Sequence, residues 1–153
     1  MNKIRLCCIS KSQKGGLDDE VLRFTRLCRG LDSELEVLYL FSKKIRIAQK
    51  QQTLAQDSYS EAFAPYLGGA FCIGLAPHGQ IVDSFGFVDL LKNQQKVHFF
   101  IGGAYGLSEH FLSQCDAVVS LSKLTMSHRI AMLVALEQIY RALSLMHNHP
   151  YHK

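Results

Sequence analysis

Val97-His98-Phe99-Phe100-Ile101-Gly102-Gly103-Ala104-Tyr105-Gly106-Leu107 is followed closely by Ala117-Val118-Val119-Ser120-Leu121-Ser122-Lys123-Leu124-Thr125-Met126. Each stretch opens as a short apolar run suited to a buried strand, Val97–Ile101 and Ala117–Leu121, and each runs into a loop of small and polar residues. Ser108–Gln114 between them reads as a short helix. Ser127 is placed to cap a long helix that continues to about Met146. A strand–helix–strand–helix order of this kind belongs to an α/β fold with a largely parallel sheet.

The rest of the chain has the same rhythm. Ile4–Ile9 reads as a buried strand. A helix follows from Leu17, with Asp18, Asp19 and Glu20 in its first turn and Gly30 at its end. Leu35–Phe41 is a second strand, Lys44 to about Phe63 a polar helix, and Phe71–Leu75 a third strand ending in a turn at Pro77-His78-Gly79. Asp83 or Ser84 can cap a short helix carrying Phe87, Leu90 and Leu91. The expectation is a mostly parallel sheet of five or six strands flanked by helices, formed by residues 1–153 as one domain. In such sheets ligands sit beyond the carboxyl ends of the strands. That position falls to the loops after Leu75, Ile101 and Leu121.

The chain has 153 residues and a formal net charge of +4. Residues 1–50 hold eleven Lys/Arg against six Asp/Glu, and residues 51–153 hold six against seven, so the positive excess is confined to the first third. It is either a solvated surface or an electrostatic footprint for phosphates. Five cysteines, two of them adjacent, lack the spacing of a disulfide framework or a C-x-x-C metal pair, and read as small core residues. No apolar run reaches the ~20 residues that span a bilayer. The segment Met1–Leu6 is too short and too charged for a secretory signal, so a cytoplasmic location is expected.

Taken singly, the loops are equivocal. Gly102-Gly103-x-x-Gly106 lacks the spacing and the downstream acid of a dinucleotide fingerprint, and there is no G-K-[ST] of a P-loop. Its glycines still permit close approach to a flat ligand. Leu121–Met126 suits either a plain connection or a pocket wall whose backbone binds a base edge. Met132, Leu136, Ile139, Leu143 and Met146 form one apolar stripe on the last helix, and Ala131, Ala135, Gln138 and Ala142 a small-residue one. Glu137 and Arg141, at i and i+4, read only as weak helix support. His147, His149 and His152 have no carboxylate or cysteine at ligand spacing, so no metal is expected.

In combination, I-G-G-A-Y-G-L-S, S-L-S-K-L-T-M-S-H, L-E-Q-I-Y-R-A and the terminal N-H-P-Y-H-K closely resemble the ribosomal large-subunit pseudouridine N3-methyltransferases (RlmH) of the SPOUT superfamily. The resemblance is strong over Val97–Lys153. It implies a C-terminal trefoil knot, a rare exception to the un-knotted rule, and a homodimer built through the knot region. It also implies S-adenosylmethionine as cofactor, held by Leu75, Gly102, Leu121, Ser122, Lys123, Leu124, Thr125 and Met126. The substrate would be a pseudouridine of large-subunit rRNA on assembled ribosomes. Departures from the family pattern are Ala76 for an acid, Ser127 for proline and Lys153 for arginine; Ala104 and Tyr105 fill a variable site.

A sulfonium methyl is already activated, so the protein must align the reactants and assist loss of the N3 proton. The tail is the expected source of that help. His152 would accept the proton, Tyr151 would position or stack on the base, and Lys153 would contact a phosphate or the developing anion, with His128 as the alternative base. RNA contacts are expected from Lys11, Lys14, Arg23 and Arg26. The competing classes are a ribosome-associated binding protein without catalysis and a nucleotide-binding regulator.

Overall fold

A computed structural model describes residues 1–12 and 16–153. Five strands, β1 (Asn2–Ile9), β2 (Ser33–Leu40), β3 (Phe71–Ile81), β4 (Lys96–Ile101) and β5 (Ala117–Ser120), form one sheet in the order β2-β1-β4-β3-β5. Every pairing in it is parallel. The helices are α1 (Leu17–Arg29), α2 (Lys43–Ala48), α3 (Gln52–Phe63), α4 (Ser84–Leu91), α5 (Glu109–Ser113) and α6 (His128–Met146).

Both faces of the sheet are covered, which explains why its strands read as near-continuous apolar runs rather than alternating ones. Successive side chains of a strand point to opposite faces. Ile4, Leu6 and Cys8 of β1 join Phe99 of β4 in the core shared with α1, α4 and α6, where Phe87 stacks on Phe99 at 5.6 Å. Cys7 and Ile9 point the other way, with Phe100, toward α3 and α5. There Phe63 and Phe111 meet the ring of Phe100 edge-on at 5.0 and 5.2 Å.

Helix starts follow the capping residues. The side chains of Ser42, Asp83, Ser108 and Ser127 accept from the backbone N–H groups of Ile45, Gly86, Phe111 and Ile130 at 3.2, 2.8, 3.1 and 3.4 Å. Two expectations need correction. The polar helix from Lys44 to Phe63 is broken, because Gln51 is extended (φ −149°) between α2 and α3. The break lets Ile45 of α2 and Ala55, Tyr59 and Phe63 of α3 pack into the same core, whereas one straight helix would hold Ile45 about 27 Å from Phe63 along its axis. The turn at Pro77–Gly79 lies inside β3 as a bulge. Leu75 and Gln80 both pair with Val119, so the residues between them are extra. Pro77 has no N–H for the ladder, and a Cβ on Gly79 would come within 2.7 Å of the Val119 backbone.

Cys7, Cys8, Cys28 and Cys72 are buried and Cys115 is half-buried, all as free thiols. Burial pushes Cys7, Cys28 and Cys115 up to about 12, and Cys8 higher. Each folded value lies above the unfolded one. The resulting stability is therefore complete at neutral pH and is lost as pH rises past the unfolded thiol value toward the folded one. For Cys28, where burial is the sole cause, urea unfolding at pH 8 and pH 10 should show the native chain losing about 1.5 kcal/mol more than Cys28→Ala. Parallel losses would mean that the thiol is hydrated.

Candidate active site

The parallel register brings three strand ends together. Leu75 pairs with Ile101 of β4 and with Val119 of β5, and Ile81 pairs with Ser120. Beyond them lies a cleft of about 190 Å³ between the loops that follow β3, β4 and β5 and the first turn of α6. Leu75, Gly102, Leu121, Ser122, Leu124, Thr125 and Met126 all line it. Lys123 is exposed and is not among the lining residues. His128 is half-buried and lines the cleft beside Ala131.

The Gly-rich loop is folded tightly back on itself. Gly106 N–H donates to Gly103 O at 3.0 Å, and a Cβ on Gly102 would lie 2.8 Å from the Gly106 carbonyl carbon. A Cβ on Gly103 would lie 2.5 Å from the Tyr59 hydroxyl. From outside, Tyr105 clasps the loop to the α2–α3 junction. Its hydroxyl donates to Gln49 O at 3.0 Å and its carbonyl accepts from Gln56 Nε2 at 3.0 Å. The loop after β5 is ordered by its serines: Ser120 Oγ donates to Ser122 O at 2.8 Å, and Ser122 Oγ accepts from Leu124 N–H at 3.0 Å.

The walls are thus apolar side chains, the hydroxyl residues Ser120, Ser122 and Thr125, and backbone edges, and His128 is the sole ionisable residue among the described residues lining the cleft. Those residues include no lysine or arginine to neutralise a phosphate or to repel a cation. A flat, uncharged ring edge and a cationic group both suit such a cleft.

The tail is packed rather than frayed. α6 ends in a Schellman turn: Asn148 is left-handed (φ 55°), its N–H donates to Leu145 O at 3.3 Å, and His149 N–H donates to Ser144 O at 2.8 Å. This turn sends Pro150–Lys153 back along α6, where Glu137 is the anchor. One Glu137 oxygen accepts from Tyr151 Oη at 3.0 Å and from Arg141 Nε and Nη2 at 3.0 and 2.5 Å. The other accepts from Gln138 Nε2 at 2.7 Å, and Gln138 in turn accepts from Ser84 Oγ of α4 at 2.8 Å.

The Arg141 guanidinium lies 4.8 Å and the Tyr140 ring 4.6 Å from the centroid of the Tyr151 ring. Burial, then the Glu137 hydrogen bond, pushes its phenol up. His152 touches Arg141 through Nδ1 at 3.2 Å and meets Phe85 edge-on at 5.4 Å. His147 and His149 are exposed. The described residues contain no group of three or more His, Cys, Asp or Glu able to hold a metal ion.

Of the cationic candidates, Lys11 lies over the Phe41 ring at 5.2 Å, Arg23 pairs with Glu20 at 3.3 Å, and Arg26 and Lys153 are exposed. Lys14 falls outside the described residues. Sequence reasoning missed Glu137 and Arg141 as tail anchors, since i, i+4 spacing is equally common on plain surface helices. The Asn148–Pro150 pairing was a readable C-terminal stop signal.

The family model described as "Predicted SPOUT methyltransferase" matches residues 2–152. A protein of Wolinella succinogenes is 47% identical over 153 residues, covering 99% of both chains. A Helicobacter pylori protein is 47% identical over 149 residues, covering 96% of this chain and 99% of its own. One from a Sulfurovum species is 43% identical over 152 residues, covering 99% of each. All three are named ribosomal RNA large subunit methyltransferase H.

Proposed function

The chain belongs to the SPOUT methyltransferase family, and from that premise we propose that it transfers a methyl group from S-adenosylmethionine to ring N3 of a pseudouridine in large-subunit ribosomal RNA. The observation that carries this reading is the cleft. Leu75, Gly102, Leu121, Ser122, Leu124, Thr125 and Met126, the positions the family resemblance assigns to the methyl donor, converge on one uncharged pocket. Its backbone edges suit an adenine, and its lack of Lys and Arg suits a sulfonium. Lys123 contributes backbone at most.

Bound there, S-adenosylmethionine supplies an already activated methyl group. What remains for this chain's residues is to hold the donor, keep water out with Leu121 and Met126, and present N3 in line. Tyr151, His152 and Lys153 form the substrate end, Tyr151 positioning its neighbours, with His128 inside the cleft as the alternative group near the reacting atoms.

The two parts are separated within one protomer. Ala131 lines the cleft, whereas Tyr151 and His152 are held on Glu137 and Arg141, six and ten residues or about 9 and 15 Å further along α6. We therefore take the working form to be a homodimer, assembled around the family's knotted C-terminal part, in which the partner's tail reaches the cleft. Leu124, Ile130 and Phe85, which are 75%, 51% and 59% exposed, provide apolar surface beside the cleft and the tail for such a contact. No helix of the described residues is long and apolar enough to cross a membrane, and cytoplasmic ribosomes are the proposed setting.

The test is transfer of labelled methyl from S-adenosylmethionine to ribosomes from cells lacking this protein. A non-catalytic ribosome-binding protein would bind and leave no label. For RNA capture, exposed Arg26 and the helix-surface Arg23 stand with Lys11 and Lys14 as phosphate ligands. Replacing all four by glutamine should weaken binding and flatten the plot of log affinity against log salt by about three to four units of slope, near one for each phosphate no longer neutralised. An unchanged slope would return them to solvated surface.

A further inference from the structure

We propose that His152 acts in the transfer as a hydrogen-bond donor through Nε2–H, with its tautomer set by Arg141 and Glu137 as positioning residues. The inference rests on the reading above, in which the tail meets the partner's cleft. An arginine guanidinium has five donors and no acceptor. The 3.2 Å contact between Arg141 Nη1 and His152 Nδ1 is therefore a hydrogen bond only if Nδ1 offers its lone pair, and the ring hydrogen then sits on Nε2. In that state neither ring nitrogen has a free lone pair for the N3 proton.

Arg141 cannot easily turn away. Its Nε and Nη2 are committed to Glu137, and its guanidinium carbon lies over the Tyr151 ring. Glu137 is fixed in turn by Gln138 and, through it, by Ser84 of α4. On the α4 side His152 meets the uncharged Phe85 ring. Arg23 of α1 is a further cation near Tyr151. The Tyr151 hydroxyl is spent on Glu137, so Tyr151 is the tail's anchor and His152 its working end.

The chemistry has a place for such a donor. Ring N3 of pseudouridine lies between two carbonyls, and loss of its proton spreads negative charge onto both oxygens. A fixed N–H at one of them stabilises the imidate, as donors aimed at developing charge do elsewhere. The N3–H bond breaks and its proton leaves to solvent hydroxide or water. The N3 pair forms the bond to the methyl carbon, and the pair of the breaking C–S bond stays on sulfur as the neutral thioether.

The experiment measures kcat, KM for S-adenosylmethionine and the pH–rate profile on ribosomes lacking the methyl. It compares the native dimer with His152→Gln, His152→Ala and Arg141→Met. Glutamine places an amide N–H near the position of Nε2 but cannot take up a proton. His152→Gln should keep kcat within about tenfold of native with an unchanged profile, while His152→Ala falls about 100-fold or more. Arg141→Met should lower kcat about tenfold without moving KM. If His152→Gln is as slow as His152→Ala, if it loses an acid-side limb present in the native profile, or if Arg141→Met keeps full kcat, the proposal is overturned. A native protein that labels no rRNA would instead refute the methyltransferase reading beneath it.

Discussion

Gly102→Ala is expected to weaken S-adenosylmethionine binding by about 10- to 100-fold, from an overpacking cost of about 1–3 kcal/mol. The added methyl would stand 2.8 Å from the Gly106 carbonyl carbon and 3.1 Å from both Gly106 O and Leu107 N. All three are backbone atoms, so no side chain can swing aside. The loop must open, and the turn closed by Gly106 N–H and Gly103 O opens with it. Gly106→Ala is the control: a Cβ there meets nothing within 4 Å but must accept φ +69°, which costs a non-glycine residue about 1 kcal/mol. Calorimetric titration with S-adenosylmethionine should rank Gly102→Ala well below Gly106→Ala, while both retain the native far-UV spectrum. Equal affinities would remove the Gly-rich loop from the donor site.

Mixing two inactive chains is expected to restore methyl transfer. A chain ending at Pro150 keeps its cleft but lacks Tyr151, His152 and Lys153. Gly102→Ala keeps the tail but has a crippled cleft. At limiting donor each homodimer should work at a few per cent of the native rate or less. Equal mixing and reassociation gives heterodimers as about half of the population, and each holds one good cleft opposite one good tail, so about a quarter of the native rate should return. If the cleft and tail of the same chain worked together, every heterodimer site would still carry one defect and the mixture would stay at background. The expectation follows from α6, whose first turn lines the cleft while its later turns hold Tyr151 and His152.

The α/β class was legible because buried parallel strands read as short apolar runs between helical patterns, and the caps at Asp83 and Ser127 were legible because serine and aspartate side chains do one recognisable thing there. The break between Ala48 and Gln52 was not. Both halves carry helical sequence, and only the shared core facing Ile45, Ala55 and Tyr59 requires the bend. The bulge at Ala76–Gly79 was half visible: proline and glycine signalled a departure from the ladder, but whether the chain leaves or rejoins it depends on Val119, a partner distant in sequence. The cleft residues were legible through family resemblance, since no single loop specifies a ligand. Tyr151 and His152 could be picked out as unusual, but their roles depend on Glu137 and Arg141, whose spacing alone signals only a helical pair.

Methylation of N3 on a large-subunit pseudouridine can be read directly on ribosomal RNA. Ribosomes from cells lacking this protein should be incubated with the purified chain and S-adenosylmethionine. The large-subunit RNA is then digested and its nucleosides analysed by mass spectrometry, with fragmentation that separates base from ribose methylation and N1 from N3. One new methyl per ribosome is expected, on N3 of a pseudouridine, absent when S-adenosylmethionine is withheld. A new methyl on a ribose, on another base or on the small-subunit RNA, or none at all, would contradict it.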